Sequence, residues 1–180
     1  DNIYEYQILS SDRRKAKLIL INTTEKIIKQ SSSLHIGWCV VDTKTIEKML
    51  PSLNELGVEK ISFIYCEYSQ KQFKLNIEKL NKLLINSSQQ SGRSSLMILE
   101  SYSCLDKFIE DYPETFMFNF STNLIDTKKE DVKTILIGCE GGFSQEEVKK
   151  IDSSKVVGIK SNLILRSETA VVTVASKILV

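Results

Sequence analysis

The sequence holds one histidine, no close cysteine pair and no long apolar run, and each absence removes a class of function. A single imidazole, His35, cannot support a metal site, and Cys39, Cys66, Cys104 and Cys139 form neither a CxxC pair nor a Cys/His ligand pattern. These cysteines read as reduced thiols, mostly in the core. No segment approaches the ~20 consecutive apolar residues of a membrane helix, and no N-terminal stretch joins a basic start to an apolar run. A soluble, cytoplasmic protein is expected. Excess charge of one sign is missing too. The 24 Lys and Arg face 23 Asp and Glu, for a formal charge of +1, so any RNA contact must come from local patches.

What is present suffices for one substantial core and a smaller module, with 42% of 180 residues hydrophobic. The chain opens at Asp1 without an initiator Met and enters a strand-like segment at once, so it is expected to begin inside a larger protein. Tyr4–Leu9 and Ala16–Ile21, joined by polar Ser11–Arg14, read as a hairpin without a core of its own. Polar segments at Asn22–Glu25 and Gln30–Ser33 flank a short apolar patch, and a module boundary is placed near Ser33.

Beyond it, apolar strands alternate with helical patterns. Strands are expected at Gly37–Val41, Ile61–Cys66, Leu96–Leu99, Thr115–Phe118, Thr134–Ile137 and Lys155–Ile159. Helices are expected where Ile46, Met49, Leu50, Leu53 and Leu56 recur before Gly57, and where Leu80, Leu83, Leu84 and Ser87 recur before Gly92. Further helices follow at Ser103–Glu110, after a Ser144/Glu147 capping box, and at Ser167–Leu179. The pattern is that of an α/β protein with a largely parallel sheet. Trp38, Phe63 and Phe118 lie in its strands and read as core. His35 reads as a solvated linker residue, and Lys71, Lys74, Lys79 and Lys82 as a solvated helix face.

Two loops stand where chemistry belongs, since open α/β sheets bind ligands beyond the carboxyl ends of their strands. Gly138-Cys139-Glu140-Gly141-Gly142-Phe143-Ser144 follows one strand and precedes a helix. It is neither the dinucleotide fingerprint nor the NTPase phosphate loop, and a turn needing glycine for geometry fits it as well as a cofactor loop does. Lys160–Ala170 passes through an apolar stretch into the last helix, with Arg166 at the junction. A guanidinium there can stabilise an oxyanion or hold phosphate; a structural pairing with Glu168 or loop carbonyls is the equal alternative. Arg93 suits an RNA phosphate or the cap of its own helix equally well.

The order and separation of Ile137-Gly138-Cys139-Glu140-Gly141-Gly142-Phe143-Ser144 and Leu163-Ile164-Leu165-Arg166-Ser167-Glu168-Thr169-Ala170 resemble the paired signature of the bacterial 16S ribosomal RNA uridine N3-methyltransferases. These belong to the knotted SPOUT class. Asn54-Glu55-Leu56-Gly57-Val58 and Gln90-Ser91-Gly92-Arg93 also match, so the resemblance covers about residues 34–180. It implies a mostly parallel α/β sheet with a C-terminal trefoil knot, S-adenosylmethionine as cofactor, 16S rRNA in the small ribosomal subunit as substrate, and a homodimer. Residues 1–33 resemble the tail of the family's PUA-like RNA-binding β-barrel, most of which is then absent.

Carried onto this chain, the family's cofactor positions fall on Gly138, Glu140, Gly141, Gly142, Ser161, Leu163, Ile164, Leu165 and Thr169. The catalytic ones fall on Arg166 and Glu140, and an RNA contact on Arg93; no metal is implied. Cys139 stands where the family commonly has Pro, Gln89 where it has Glu, Ser52 and Tyr68 where it has Lys and Arg, and Ser161 where it has Gly. The Ser52 and Tyr68 departures motivate a second reading, a catalytically weak RNA-binding or ribosome-assembly protein that keeps the cofactor fold. The glycine loop motivates a third, an ordinary doubly wound nucleotide-binding enzyme. The apolar stripe Ala170, Val171, Val174, Ala175, Ile178 and Leu179 is broader than one core face needs and suggests a dimer interface.

Overall fold

A computed structural model describes residues 2–25 and 32–180. The apolar patch read at 26–29, with Gln30 and Ser31, lies outside the described residues. Strands β1 (Asn2–Ser11) and β2 (Ala16–Glu25) pair antiparallel, with register shifts at Glu5/Tyr6 and Ile8/Ser10. Asp12 closes the turn, its Oδ1 accepting from the N–H groups of Arg14 and Lys15. Every described residue of the hairpin is exposed, including Ile3, Tyr6, Ile8 and Leu20. It has no core of its own, as its sequence suggests.

The second sheet contains β3 (His35–Cys39), β4 (Lys60–Ile64), β5 (Ile98–Tyr102), β6 (Phe116–Phe118), β7 (Thr134–Ile137) and β8 (Val156–Val157). Their order is β5-β4-β3-β7-β6-β8, and every pairing is parallel. Parallel strands covered on both faces are apolar throughout rather than alternating. Accordingly β3 is buried from end to end, with Trp38 and Ile36 at its centre.

Helices α1 (Thr43–Leu56), α2 (Ile77–Ser91), α3 (Leu105–Asp111), α4 (Gln145–Lys149) and α5 (Ser167–Leu179) cover the sheet. Asp42 caps α1 by accepting the Thr45 N–H at 3.0 Å, and Gly57 and Gly92 end α1 and α2 as their positions predict. The capping box is present as well: Ser144 Oγ accepts from the Glu147 N–H, and the Glu147 carboxylate accepts from the Ser144 N–H. Among the described residues no helix is long and apolar enough to cross a membrane.

Several expectations need correction. Cys39 and Cys66 are not separate thiols: Cys39 ends β3, Cys66 lies just past the end of the neighbouring β4, and the two are joined as a disulfide, while Cys104 and Cys139 are free. Pairing across 27 residues is invisible until β3 and β4 are known to be neighbours. His35 is not a solvated linker residue but the first residue of β3, 8% exposed. Lys71 and Lys74 precede α2, so the four lysines do not form one helix face. Trp38 and Phe63 are core, whereas Phe118 is only half-buried.

Candidate active site

Strand order decides where the loops meet. Because β7, β6 and β8 are neighbours in a parallel sheet, the segments leaving their carboxyl ends emerge side by side. They enclose a cavity of ≈ 440 Å³, within the usual range for small-molecule sites. The segment after β7 supplies Gly138 to Phe143, the segment after β8 supplies Ile159, Ser161 and Leu163 to Leu165, and α5 adds Ser167 and Ala170. Of the residues predicted to hold cofactor, Gly138, Glu140, Gly141, Gly142, Ser161, Leu163, Ile164 and Leu165 line this cavity together. Thr169 does not; it is exposed on α5.

The glycine loop owes its path to backbone geometry. The Gly142 N–H donates to the Cys139 carbonyl at 2.9 Å, closing a tight turn, and Gly142 takes φ +70°, which a side chain rarely adopts. The turn folds back onto Gly138, where an added Cβ would lie 3.0 Å from the Gly142 Cα. At Gly141 an added Cβ would instead meet the Tyr68 side chain at 3.0 Å. The glycines therefore serve the turn and the cavity wall at once. Burial raises the pKa of the Cys139 thiol, keeping it neutral and a poor nucleophile.

The apolar side of the cavity is open. Leu163 and Ile164 are 78% and 81% exposed, so neither is core, while Leu165 is half-buried. Arg166 lies outside the main cavity, in an adjoining groove with Asp42, Thr45 and Glu168; Glu140, Ile164 and Leu165 line both. Its side chain is 84% exposed and approaches Glu168 only at 3.8 Å, a contact worth little in solvent. Arg93 is elsewhere, and its backbone N–H caps its own helix by donating to the Ser88 carbonyl at 3.1 Å. Its Nη1 donates to the carbonyls of Asn54 and Val58 at 3.0 and 2.7 Å, at the end of α1.

Sequence reasoning missed three contributions. Phe118, Asn119, Phe120 and Ser121, at and after the end of β6, form a third wall, with Phe120 largely exposed. That strand was legible, but not its place between β7 and β8. Ser167 was read as a motif residue and the start of a helix, with no site role assigned, yet its Oγ accepts from Trp38 Nε1 at 2.8 Å and donates to the Gly138 carbonyl at 2.5 Å. Glu147 does more than cap: its Oε1 accepts the Glu67 N–H at 2.9 Å, tying α4 to the segment after β4.

Comparison with known proteins agrees with this geometry. Residues 29–179 match the family described as the RNA methyltransferase domain. The ribosomal RNA small subunit methyltransferase E of Helicobacter pylori is 35% identical over 177 residues, covering 97% of this chain and 78% of the relative. A Neisseria gonorrhoeae protein of the same name, solved bound to S-adenosyl methionine, superposes with a TM-score of 0.79 at 15% identity, covering 97% of this chain and 77% of that one. A Legionella pneumophila protein in complex with its bound cofactor SAM gives 0.77 at 20% identity, covering 98% and 78%. The chain therefore belongs to the RNA methyltransferase domain family, within the group of the ribosomal RNA small subunit methyltransferases E.

Proposed function

We propose that this protein is an S-adenosylmethionine-dependent methyltransferase that modifies N3 of a uridine in 16S rRNA of the small ribosomal subunit. The observation that carries the reading is that both halves of the paired motif, far apart in sequence, wall one cavity. The relatives' names and the cofactor bound in two structural neighbours point the same way. The alternatives of an RNA-binding protein without catalysis and of a doubly wound nucleotide enzyme have no comparable observation behind them.

The residues present fit the cofactor. Gly138, Gly141 and Gly142 line the cavity without side chains of their own, which lets a flat ligand approach main-chain groups. Exposed Leu163 and Ile164 and half-buried Leu165 offer an apolar cover for an adenine ring. S-adenosylmethionine, when bound, supplies an electrophilic methyl group on a sulfonium centre. The chain's own work is then positioning and charge stabilisation. Arg166, free of a close ion pair, stabilises the uracil anion left when N3 loses its proton, or holds its phosphate. Glu140 stands between the cavity and the Arg166 groove, where it orients the base or takes that proton.

The same reading assigns residues 34–180 to the methyltransferase domain and the hairpin within 1–33 to the end of a PUA-like barrel. Its two exposed faces support that assignment. The segment after β8 is taken to complete a trefoil knot, and the protein to act in the cytoplasm as a homodimer. The sequence argument for the dimer changes, however. Ala170, Val171, Val174, Ala175 and Ile178 are already buried within the subunit, so the stripe on α5 serves the monomer's core. The dimer rests on the family resemblance and on exposed Phe120, Leu163 and Ile164. Calorimetry with S-adenosylhomocysteine tests the cofactor: saturable binding to folded protein is expected, and none at millimolar ligand defeats the reading.

A further inference from the structure

Trp38 is fully buried on β3, in the middle of the sheet. An indole N–H can donate and cannot accept, and its partner is the Ser167 hydroxyl at 2.8 Å. Ser167, 4% exposed, donates its own hydroxyl hydrogen bond to the Gly138 carbonyl at 2.5 Å. The direction of this chain is fixed at both ends, because a carbonyl only accepts. Gly138 is the first residue after β7 and opens one cofactor loop. Ser167 is the first residue of α5 and closes the other. One hydroxyl thus joins the start of the first loop, the end of the second and the strand beneath them, and both residues face the cavity.

Arg166 depends on the same junction. With an 84% exposed side chain and, among the described residues, one loose ion-pair contact at 3.8 Å, its guanidinium is weakly held. Its place is set by its backbone, one peptide bond from Ser167.

We propose that Ser167, held by Trp38, is a positioning residue of the methyl-transfer site, locking the two cofactor loops together and setting the backbone that carries Arg166. The proposal rests on the cofactor reading above. Without the hydroxyl, the buried indole N–H loses its partner and the half-buried Gly138 carbonyl loses this donor, and the loops are no longer tied.

The test measures S-adenosylhomocysteine affinity, the rate of methyl transfer to small ribosomal subunits and the melting temperature on the same preparations of the full chain. Ser167→Ala is expected to weaken binding by about tenfold or more and, at saturating cofactor where the lost affinity no longer limits the rate, to lower kcat as well, because Arg166 is displaced. Ser167→Thr keeps the hydroxyl and is expected to restore most of both. Trp38→Phe removes the upper donor while leaving the bond to Gly138, with a loss of about threefold; it carries the test if Ser167→Ala does not fold. A variant that loses only melting temperature, with affinity and kcat unchanged well below the melt, makes Ser167 merely structural and overturns the proposal. Failure of the wild type to bind defeats the cofactor reading itself, and the wild-type titration tells the two failures apart.

Discussion

The imidazole Nε2 of His35 lies 2.8 Å from the buried hydroxyl of Ser62, on the neighbouring strand β4, next to a half-buried network of Glu100, Lys60 and Tyr112. Burial, and then the Lys60 cation, lower the His35 pKa from 6.5 to about 4, against a smaller opposing pull from Glu100. The folded protein therefore keeps this histidine neutral where the unfolded chain protonates it. Stability is complete above the unfolded pKa and falls as pH drops from about 6.5 towards 4. Denaturant titrations at pH 7.5 and 5 should differ by about 2 kcal/mol from this residue. His35→Gln should flatten that part of the profile; an unchanged slope would refute the assignment.

The glycines at 138 and 142 should fail differently when replaced. At Gly142 nothing lies within 4 Å of an added Cβ, but φ is +70°, so Gly142→Ala should cost about 1 kcal/mol of stability through backbone strain. At Gly138 the added Cβ meets the Gly142 backbone at 3.0 Å. Gly138→Ala should therefore shift the loop and weaken S-adenosylhomocysteine binding by about tenfold. Equal ligand affinities in the two variants would contradict this division.

Glu147 accepts two backbone N–H groups, from Glu67 and Ser144, one on each carboxylate oxygen, while nearly buried. A glutamine has one acceptor oxygen and offers N–H groups to the other donor. Glu147→Gln should consequently cost about 1–3 kcal/mol in chemical denaturation, more than Glu146→Gln on the exposed side of α4. Similar losses for the two would show that the Glu67 bridge carries no weight.

Much of this site could be read before any fold was known, and the reasons for the gaps are physical. The motif at Gly138 to Ser144 and the helix start at Ser167 were legible because glycine geometry and capping are local. The wall at Phe118 to Ser121 was not, because it depends on β6 lying between β7 and β8, which spacing does not encode. The Cys39–Cys66 pair and the burial of His35 depend likewise on strand neighbours. The stripe on α5 was correctly seen as apolar, but whether it packs inward or outward is decided by α1 and the sheet, not by its period.

Arg166 should matter to the reaction and little to the fold. Arg166→Ala should slow methyl transfer by about 10²–10³-fold, as for loss of one preorganised charged donor, with cofactor affinity and melting temperature nearly unchanged. Arg166→Lys should not recover the rate, since an ammonium lacks the planar fork of donors. Joint loss of melting temperature and cofactor binding would make the residue structural.

The most direct test is to incubate the protein with methyl-labelled S-adenosylmethionine and unmodified small ribosomal subunits, digest the 16S rRNA and identify the labelled nucleoside. Label in 3-methyluridine, at one site and lost in Arg166→Ala, is the predicted result. Absence of label from the RNA, or label in a different nucleoside, would contradict the account.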